Sequence, residues 1–378
     1  MRFRLLRWLL PVGLLLLAGA CKEMGLVGHS PPPYTVVTPE GRVVGTLDAI
    51  LPELARKRVV YVGETHSKYG HHLLQLAVIR GLHERGVDLA IGMEFFQQPF
   101  QRWLDDYLAG RIDEDELLEK TEWFERWRFD YRLYRPILRY AREQGIPLVA
   151  LNVPREVTEE VSKRGLSGLS AQVRAHLPAQ IDRSDTAYRE RLRKVYDQHA
   201  HRGEGRFERF LDVQYSWDEG MAEQVARYLA RHPGRHMVVL AGSGHVAWGS
   251  GIPARVARRI GGDYAIVLPA DGERKPGMAD YLIVTEDEML SPRPLMGVFI
   301  DTGAEGIRIT GVSRGSGAEK AGLREGDRLI SVNGRPVASY AQLRARLMDH
   351  VPGDRVKITI ERDGRVLEKT LELGAAEE

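Results

Sequence analysis

Two copies of one sequence pattern, an apolar run that ends in glycine and histidine, indicate the fold class of this chain. Residues 59–66 read VVYVGETH, and residues 237–245 read MVVLAGSGH. A continuous apolar run of this kind is typical of a strand buried on both faces of a parallel sheet. The residues after each run then lie at the carboxyl end of the strand, where open α/β sheets form their binding crevices. Because Glu64 and His66 are two positions apart, extended backbone would point both side chains to the same side.

Strand and helix patterns alternate along the chain around these two runs. Helices are predicted at 47–54, 69–84 and 97–140, and further strands at 89–96, 146–153, 264–268 and 281–285. This alternation predicts an α/β fold with a mostly parallel sheet at its core. The charged stretch 156–232 is predicted to be entirely helical, as a large insertion before the second apolar run.

Polar side chains stand at the predicted carboxyl ends of four strands. They are Glu64 with His66, then Glu94, Asn152 and His245. Two imidazoles with carboxylates are a suitable ligand set for a divalent metal that activates water, with Asn152 behind the ligands. Alternatively His66 acts as a general base without metal, or each histidine only caps its strand end and satisfies loop backbone groups. Which strands are neighbours does not follow from the sequence.

The N-terminus has the basic, apolar and small-residue order of a secretory signal peptide, predicted to cover 1–20. Cys21 directly follows the small residues and resembles the lipid-attachment cysteine of a bacterial lipobox. The proline-containing segment 21–43 is predicted to be a lipidated, extended tether. We therefore expect an exported protein anchored by lipid in the bacterial envelope, with Lys22 favouring the outer membrane. The alternatives are a plain signal peptide or an uncleaved anchor helix.

Two bulk properties exclude other classes of site. Cys21 is the only cysteine in the 378 residues, so neither an intrachain disulfide nor a cysteine-based metal site can form. The formal net charge of +2 gives no support for nucleic-acid binding.

The motifs of residues 44–284 together resemble the ChaN-like haem-binding uptake family. The matching segments are 63–66, 92–96, 134–136, Asp218 with 221–222, and 242–246. The resemblance implies a parallel-sheet core with a helical insertion, in a bacterial surface lipoprotein linked to iron acquisition. The wider superfamily includes Tiki-type metalloproteases and erythromycin esterases, which use comparable glycine–histidine and glutamate positions for chemistry. The resemblance is therefore compatible with two functions, haem carriage and metal-dependent hydrolysis.

A haem site needs an apolar slot, an axial ligand and cations for the propionates. The family resemblance implies tyrosine ligation with haems held between two subunits, hence a homodimer. The aromatic and arginine-rich segment 123–135 offers all three kinds of group at helical spacing. The candidates are Tyr131, Tyr134 and Tyr69 for the iron, with Arg128 and Arg135 for the propionates. The alternative is that these aromatic side chains only pack the core.

The C-terminal part, 295–374, resembles a PDZ domain of the kind found in bacterial proteases. Residues 315–323 (GSGAEKAGL) and 326–334 (GDRLISVNG) carry the resemblance, after a boundary marked by prolines. In such domains an extended peptide adds as a strand, and loop N–H groups hold its carboxylate. Carried over to this chain, the peptide-binding residues are Leu295, Met296, Gly297, Val298, Ile300, Leu343 and Leu347. The alternative is a groove filled by the protein's own tail or by its first domain.

The sequence thus predicts an α/β domain over 44–290 and a small α+β PDZ domain. The expected role is haem binding or iron handling at the cell envelope, with a protein C-terminus or an extended peptide recruited by PDZ. The first alternative is a metal-dependent peptidase or esterase that uses Glu64, His66, Glu94 and His245. The second is an envelope adaptor that acts mainly through PDZ.

Overall fold

A computed structural model describes residues 33–198 and 206–375. The predicted signal peptide, Cys21 and most of the predicted tether lie outside these residues. No helix within 33–198 or 206–375 is long and apolar enough to cross a membrane.

The first domain is built on an eight-stranded sheet whose strand order is β2-β1-β8-β7-β3-β6-β4-β5. The strands are β1 (Thr35–Val37), β2 (Val43–Thr46), β3 (Val59–Glu64), β4 (Leu89–Gln97), β5 (Leu148–Asn152), β6 (His236–Gly242), β7 (Tyr264–Pro269) and β8 (Tyr281–Ile283). Strands β3 to β8 are parallel to one another, and β1 is antiparallel to both β2 and β8. The predicted fold class, a mostly parallel α/β sheet, is confirmed.

Helices cover both faces of this sheet. They are α1 (Leu47–Leu54), α2 (Tyr69–His83), α3 (Gln101–Leu108), α4 (Glu114–Lys120), α5 (Trp123–Arg126), α6 (Arg135–Gln144), α7 (Arg155–Arg164), α8 (Ala171–Arg174), α9 (Thr186–Gln198), α10 (Arg206–Arg231), α11 (Ser243–Val246) and α12 (Ile252–Ile260). Successive residues of β3 enter two different cores. Val60 and Val62 pack on the face that α2 and α6 cover, and Val59 and Tyr61 pack on the face of α10 and α12. This explains why the run has no polar alternation.

Three sequence predictions about the elements need correction. Residues 97–140 form several short helices, because Asp113 and Asp130 each cap a new helix and Gly110 has a positive φ. The insertion 156–232 is not entirely helical, since the chain between α8 and α9 is irregular. The predicted tether ends too late: β1, whose residues are buried, pairs with β8 as part of the main sheet.

The second domain is a small α+β unit with its own core. Its strands are β9 (Pro294–Leu295), β10 (Val298–Gly303), β11 (Gly306–Val312), β12 (Arg328–Val332), β13 (Arg335–Pro336), β14 (Arg355–Arg362), β15 (Arg365–Glu372) and β16 (Gly374–Ala375), and its helices are α13 (Gly317–Lys320) and α14 (Tyr340–Leu347). The main sheet runs β10-β11-β12-β14-β15, β13 pairs with β12, and β16 pairs with β9. Side chains from these strands and from α14, among them Ile309, Leu343 and Ile358, form a separate apolar cluster.

Candidate functional site

The order β3-β6-β4-β5 brings the polar strand ends together at one edge of the sheet. Glu64 lies opposite Gly242 in the parallel pairing of β3 and β6, and β4 lies on the other side of β6. Parallel neighbours place their carboxyl ends at the same edge, so Glu94 faces the turn that carries His245. We call this edge, with Glu64, His66, Glu94, Asp218 and His245, the crevice.

His66 is held by the carboxylate two residues before it. Its Nδ1 donates a hydrogen bond to Oε1 of Glu64 at 2.6 Å, which leaves Nε2 available. Trp127 and Phe129 pack against the imidazole at centroid distances of 4.8 and 4.9 Å. Gly242 gives the ring room, because a Cβ there would lie 3.1 Å from Cε1 of His66. Burial alone lowers the pKa of His66, but the hydrogen bond to Glu64 and the negative charge of Glu94 raise it above its usual value.

His245 is oriented by an aspartate from helix α10. Its Nδ1 donates to Oδ1 of Asp218 at 2.7 Å, and Oδ2 of Asp218 accepts from the Tyr188 hydroxyl at 2.7 Å. The other ring nitrogen, Nε2, lies 3.5 Å from Oε1 of Glu94. Burial by itself lowers the pKa of His245, but the charges of Glu94 and Asp218 outweigh it and raise the pKa to about 9.

Glu94 connects the two histidines. Its Oε2 accepts the Gly242 backbone N–H at 2.7 Å, so its Oε1 is directed to the crevice. Ligand atoms of Glu64, His66 and Glu94 all lie within 4.8 Å of one another, a spacing that a single divalent cation can bridge. Oε2 of Glu64 is buried and accepts no hydrogen bond, although Nε2 of His72 lies 3.4 Å away. A histidine whose second ring nitrogen donates to a carboxylate is the usual arrangement of a metal ligand, so the residues present fit a divalent metal.

Asn152 lies at the end of β5, the strand next to β4. It lines a small cavity beside Glu94 together with Arg126 and Trp127. Its Oδ1 is buried without a hydrogen-bond partner. Asn152 therefore lies beside Glu94, and its predicted place behind metal ligands stays a prediction.

Two further histidines hold the segment that carries His66. The Thr65 backbone N–H donates to Nδ1 of His71 at 2.8 Å, and Nε2 of His71 donates to Asp271. Nε2 of His72 donates to the His66 carbonyl at 3.2 Å, and burial lowers the pKa of His72. Both His71 and His72 are buried, although they lie in the first turn of α2.

Asp218 and Tyr188 complete the crevice but were not predicted as site residues. Both come from the helical insertion, and both side chains are buried. Asp218 belongs to the family pattern, and an acidic residue on the apolar face of a long helix was the signal that could have identified it.

A second opening lies among the helices of the insertion. Helices α7, α9 and α10 enclose an open groove of about 640 Å³. Its lining surface is largely apolar, with arginines among the aromatic side chains, and includes Arg155, Tyr196, Arg209, Phe210 and Trp217. The Trp217 ring also lies 6.2 Å from the His245 ring, so the groove borders the crevice. We call this opening the helical groove.

Comparison with known proteins identifies both domains. Residues 50–256 match the family described as haem-binding uptake, Tiki superfamily, ChaN. This chain is a member of that family. Residues 294–373 match the PDZ domain family. The predicted ChaN-like and PDZ resemblances are therefore confirmed.

The ChaN-like fold is also seen in a solved structure described as cofacial heme binding to ChaN of Campylobacter jejuni. The match has a TM-score of 0.55 at 15% identity and covers 67% of this chain and 97% of that one. Two curated relatives are RETICULATA-RELATED 5, a chloroplastic protein of Arabidopsis thaliana (27% identical over 248 residues, 59% of this chain), and the periplasmic pH-dependent serine endoprotease DegQ of Escherichia coli (35% over 131 residues, 35% of this chain). The matches cover only 32% and 27% of the relatives' own lengths.

Within the ChaN-like domain, the tyrosines predicted from sequence are not at the helical groove. Tyr131 and Tyr134 are fully buried; their hydroxyls donate to Glu114 (3.1 Å) and to the His66 carbonyl (3.3 Å). Burial raises the pKa of both phenols well above the usual value, which opposes the tyrosinate form that ligates iron. Tyr69, at the start of α2, is only partly buried.

Arg128 and Arg135, the predicted propionate partners, lie in different surroundings. Arg135 forms ion pairs with Glu114 and with Asp349 of the PDZ domain. Arg128 has a positive φ of 73°. Neither arginine lines the helical groove, and Trp123, Tyr131 and Tyr134 belong to the apolar core of the first domain. The haem roles assigned to this segment from the sequence stay predictions.

Proposed function

We propose that the ChaN-like domain binds haem in the helical groove. The observation that carries this proposal is the character of the groove: it is wide, apolar and aromatic, and it has cations among its lining residues. A porphyrin needs an apolar slot for its ring and cationic partners for its propionates. The similar ChaN of Campylobacter jejuni, whose solved structure is described as binding heme cofacially, supports the same ligand class.

Tyr196 is the candidate iron ligand in the groove. It lies on α9, half-buried, and its ring packs against Phe207 and Phe210 at centroid distances of 5.3 and 5.4 Å. Arg155 and Arg209 are the candidate propionate partners. The indole of Trp217 forms part of the surface on which the porphyrin would lie.

Hemin titration of the purified protein tests this assignment. We expect a saturable Soret band, with Tyr196→Phe weakening binding and shifting the band. Tyr131→Phe and Tyr134→Phe are the matched controls and should leave the spectrum unchanged. If only Tyr134→Phe changed the band, the haem would lie in the aromatic segment; if no band saturated, haem binding itself would be excluded.

We further propose that the protein is exported and lipid-anchored in the bacterial envelope, where it carries haem or handles iron while PDZ recruits a peptide. The basic, apolar and small-residue order before Cys21 supports this location. Cys21→Ser should move the protein from the membrane fraction to the soluble fraction. Membrane retention of that variant would refute lipid anchoring at this residue.

A second candidate function is metal-dependent hydrolysis in the crevice, favoured by the Glu64–His66 and Asp218–His245 pairs that flank Glu94. A divalent metal held there by Glu64, His66 and Glu94 would activate water. Nδ1 of each histidine donates to its carboxylate, which fixes the tautomer that presents Nε2. Zinc or manganese binding by equilibrium dialysis, followed by ester and peptide hydrolysis assays, tests this function. Glu94→Gln should lower metal affinity about 100-fold, and metal binding that is equal in the variant would exclude the site.

A further inference from the structure

We propose that the ChaN-like domain forms one wall of the PDZ peptide groove and that the combined site selects a C-terminal peptide with an acidic residue upstream of its carboxylate. This inference does not depend on the haem or metal proposals. It concerns the surface between β10 and α14 and the part of the first domain that borders it.

The strand side of the groove has the groups that a peptide needs. Strand β10 is the terminal strand of its sheet, and no strand within 206–375 pairs with its outer edge. The loop before it turns at Gly297, which has a φ of 82°, and a Cβ there would overlap Ser316. The backbone N–H groups of Met296 and Gly297 donate to no acceptor among the described residues. Two such donors beside an open strand edge are suited to a terminal carboxylate.

The helix side of the groove is shared between the two domains. Leu343 and Leu347 of α14 pack into the PDZ core. Tyr340 and Arg344, on another face of the same helix, point to Phe124 of the first domain. The Tyr340 and Phe124 ring centroids lie 6.0 Å apart, and the Arg344 guanidinium lies 4.9 Å from the centre of the Phe124 ring.

Polar contacts hold α14 against the first domain, and they therefore keep Phe124 beside this helix. Nε2 of Gln342 donates to Glu119 at 2.9 Å, at the end of α4. Both Arg335 and Arg346 form ion pairs with Asp115 of the same helix. Ala345 and Met348 join the apolar core of the first domain, and Arg135 pairs with Asp349.

The cleft between Phe124 and α14 carries excess positive charge. Its lining includes Arg132, Arg293 and Arg344 but a single carboxylate, Asp130. Arg132 pairs with Asp130 at 2.8 Å. Within the described parts of the chain, neither Arg293 nor Arg344 forms an ion pair within 4.0 Å of a carboxylate. Arg344 donates to the Tyr340 hydroxyl at 2.8 Å. Burial by itself raises the pKa of Asp130, but Arg132 and the charge of Arg344 lower it, so one carboxylate is shared among three arginines. An acidic side chain of the peptide would supply the missing partner, and Leu347, which lines the cleft as well as the PDZ core, connects the cleft to the peptide groove.

Fluorescence anisotropy with two labelled peptides tests this proposal on the purified full chain. Both peptides end in valine with a free carboxylate; one has glutamate at the three preceding positions and the other has glutamine. We expect the glutamate peptide to bind at least fivefold tighter, and amidation of its C-terminus to abolish binding. Arg344→Glu should remove this preference, and Phe124→Ala should weaken binding of both peptides at least threefold.

Two exposed positions on β15, at the opposite edge of the PDZ sheet, provide matched controls. Arg365→Glu and Val366→Ala should bind both peptides as the unaltered chain does. A lysine-containing peptide should bind Arg344→Glu better than the unaltered chain, which separates charge selection from misfolding. Equal binding of the two peptides, unchanged affinity in Phe124→Ala, or no binding at all would overturn the proposal. Tighter binding in Phe124→Ala would also overturn it, because Phe124 would then block the groove.

Discussion

The crevice and the helical groove lie side by side but have opposite physical character. In the crevice the charges are buried, with Glu64, Glu94 and Asp218 exposed by only 3%, 6% and 0%. Each of these carboxylates is paired with a histidine or a backbone N–H. The helical groove is open, and its arginines and aromatic rings are partly exposed. A preorganised buried cluster suits a small ion or a proton, whereas an open apolar groove suits a large planar ligand.

Because the two regions differ in burial, ion pairs in the crevice and ion pairs in the helical groove should contribute differently to stability. Removing one member of a buried ion pair leaves a charge that water cannot reach, whereas an exposed pair is largely screened. Substitutions in the crevice should therefore affect stability and metal binding, and substitutions in the groove should affect haem binding with little change in stability.

The largest expected effect is on folding stability. Asp218→Ala leaves the buried His245 and Tyr188 without their common acceptor and should lower the free energy of unfolding by about 3–5 kcal/mol. Glu159→Ala at the groove removes an ion pair with Arg155 in which both side chains are about half exposed, and should cost less than about 1 kcal/mol. Urea denaturation followed by tryptophan fluorescence measures both. Equal losses would show that the crevice is not the more tightly coupled of the two regions.

The second effect is a pH dependence of the free energy of unfolding, which we expect from the crevice and not from the helical groove. The pKa of His245 is about 9 in the folded chain and about 6.5 when unfolded. Its stabilising contribution is therefore complete below pH 6.5 and is lost as the pH rises through about 9. The loss amounts to about 3 kcal/mol, and the raised pKa of His66 acts in the same direction.

Unfolding free energies at pH 6 and pH 9.5 test this sign and magnitude. His245→Gln should remove most of the dependence, whereas Arg209→Gln in the groove should retain it. A stability that increases between these pH values would contradict the assigned charge state. Because a metal ligand must be a neutral imidazole, metal binding by His66, whose pKa is raised, should also release protons.

Features of the crevice and the helical groove that are local in sequence could be predicted, and features that depend on long-range packing could not. The strands and their polar ends were predicted because apolar runs and residue spacing are local properties. The order β3-β6-β4-β5, which brings Glu64, Glu94 and His245 together, depends on long-range packing. Asp218 comes from a 26-residue helix far from any strand end. The helical groove is formed by three helices that meet only in the folded chain, so local aromatic spacing could indicate the segment 123–135 but not this groove.

A third effect, of about tenfold on hemin affinity, is expected when the charge of an arginine in the helical groove is reversed. Arg209→Glu should weaken hemin binding by about that factor, because a propionate loses a cation and meets a carboxylate. The weakening should diminish at high salt, since the site is open to water. Arg227→Glu, farther along α10 and paired with Glu223, is the matched control. Equal hemin affinity in the two variants would place the propionates elsewhere.

The smallest effect is expected at Trp217, the residue that borders both regions. Trp217→Leu removes an aromatic surface from the groove and the edge contact with the His245 ring. Loss of one aromatic contact is worth about 0.5–1.5 kcal/mol, so hemin affinity should fall about three- to tenfold. Metal affinity should change less than threefold, because Trp217 packs against His245 and the proposed metal ligands are Glu64, His66 and Glu94. A loss of metal affinity as large as the loss of hemin affinity would mean that the crevice and the helical groove are one coupled site.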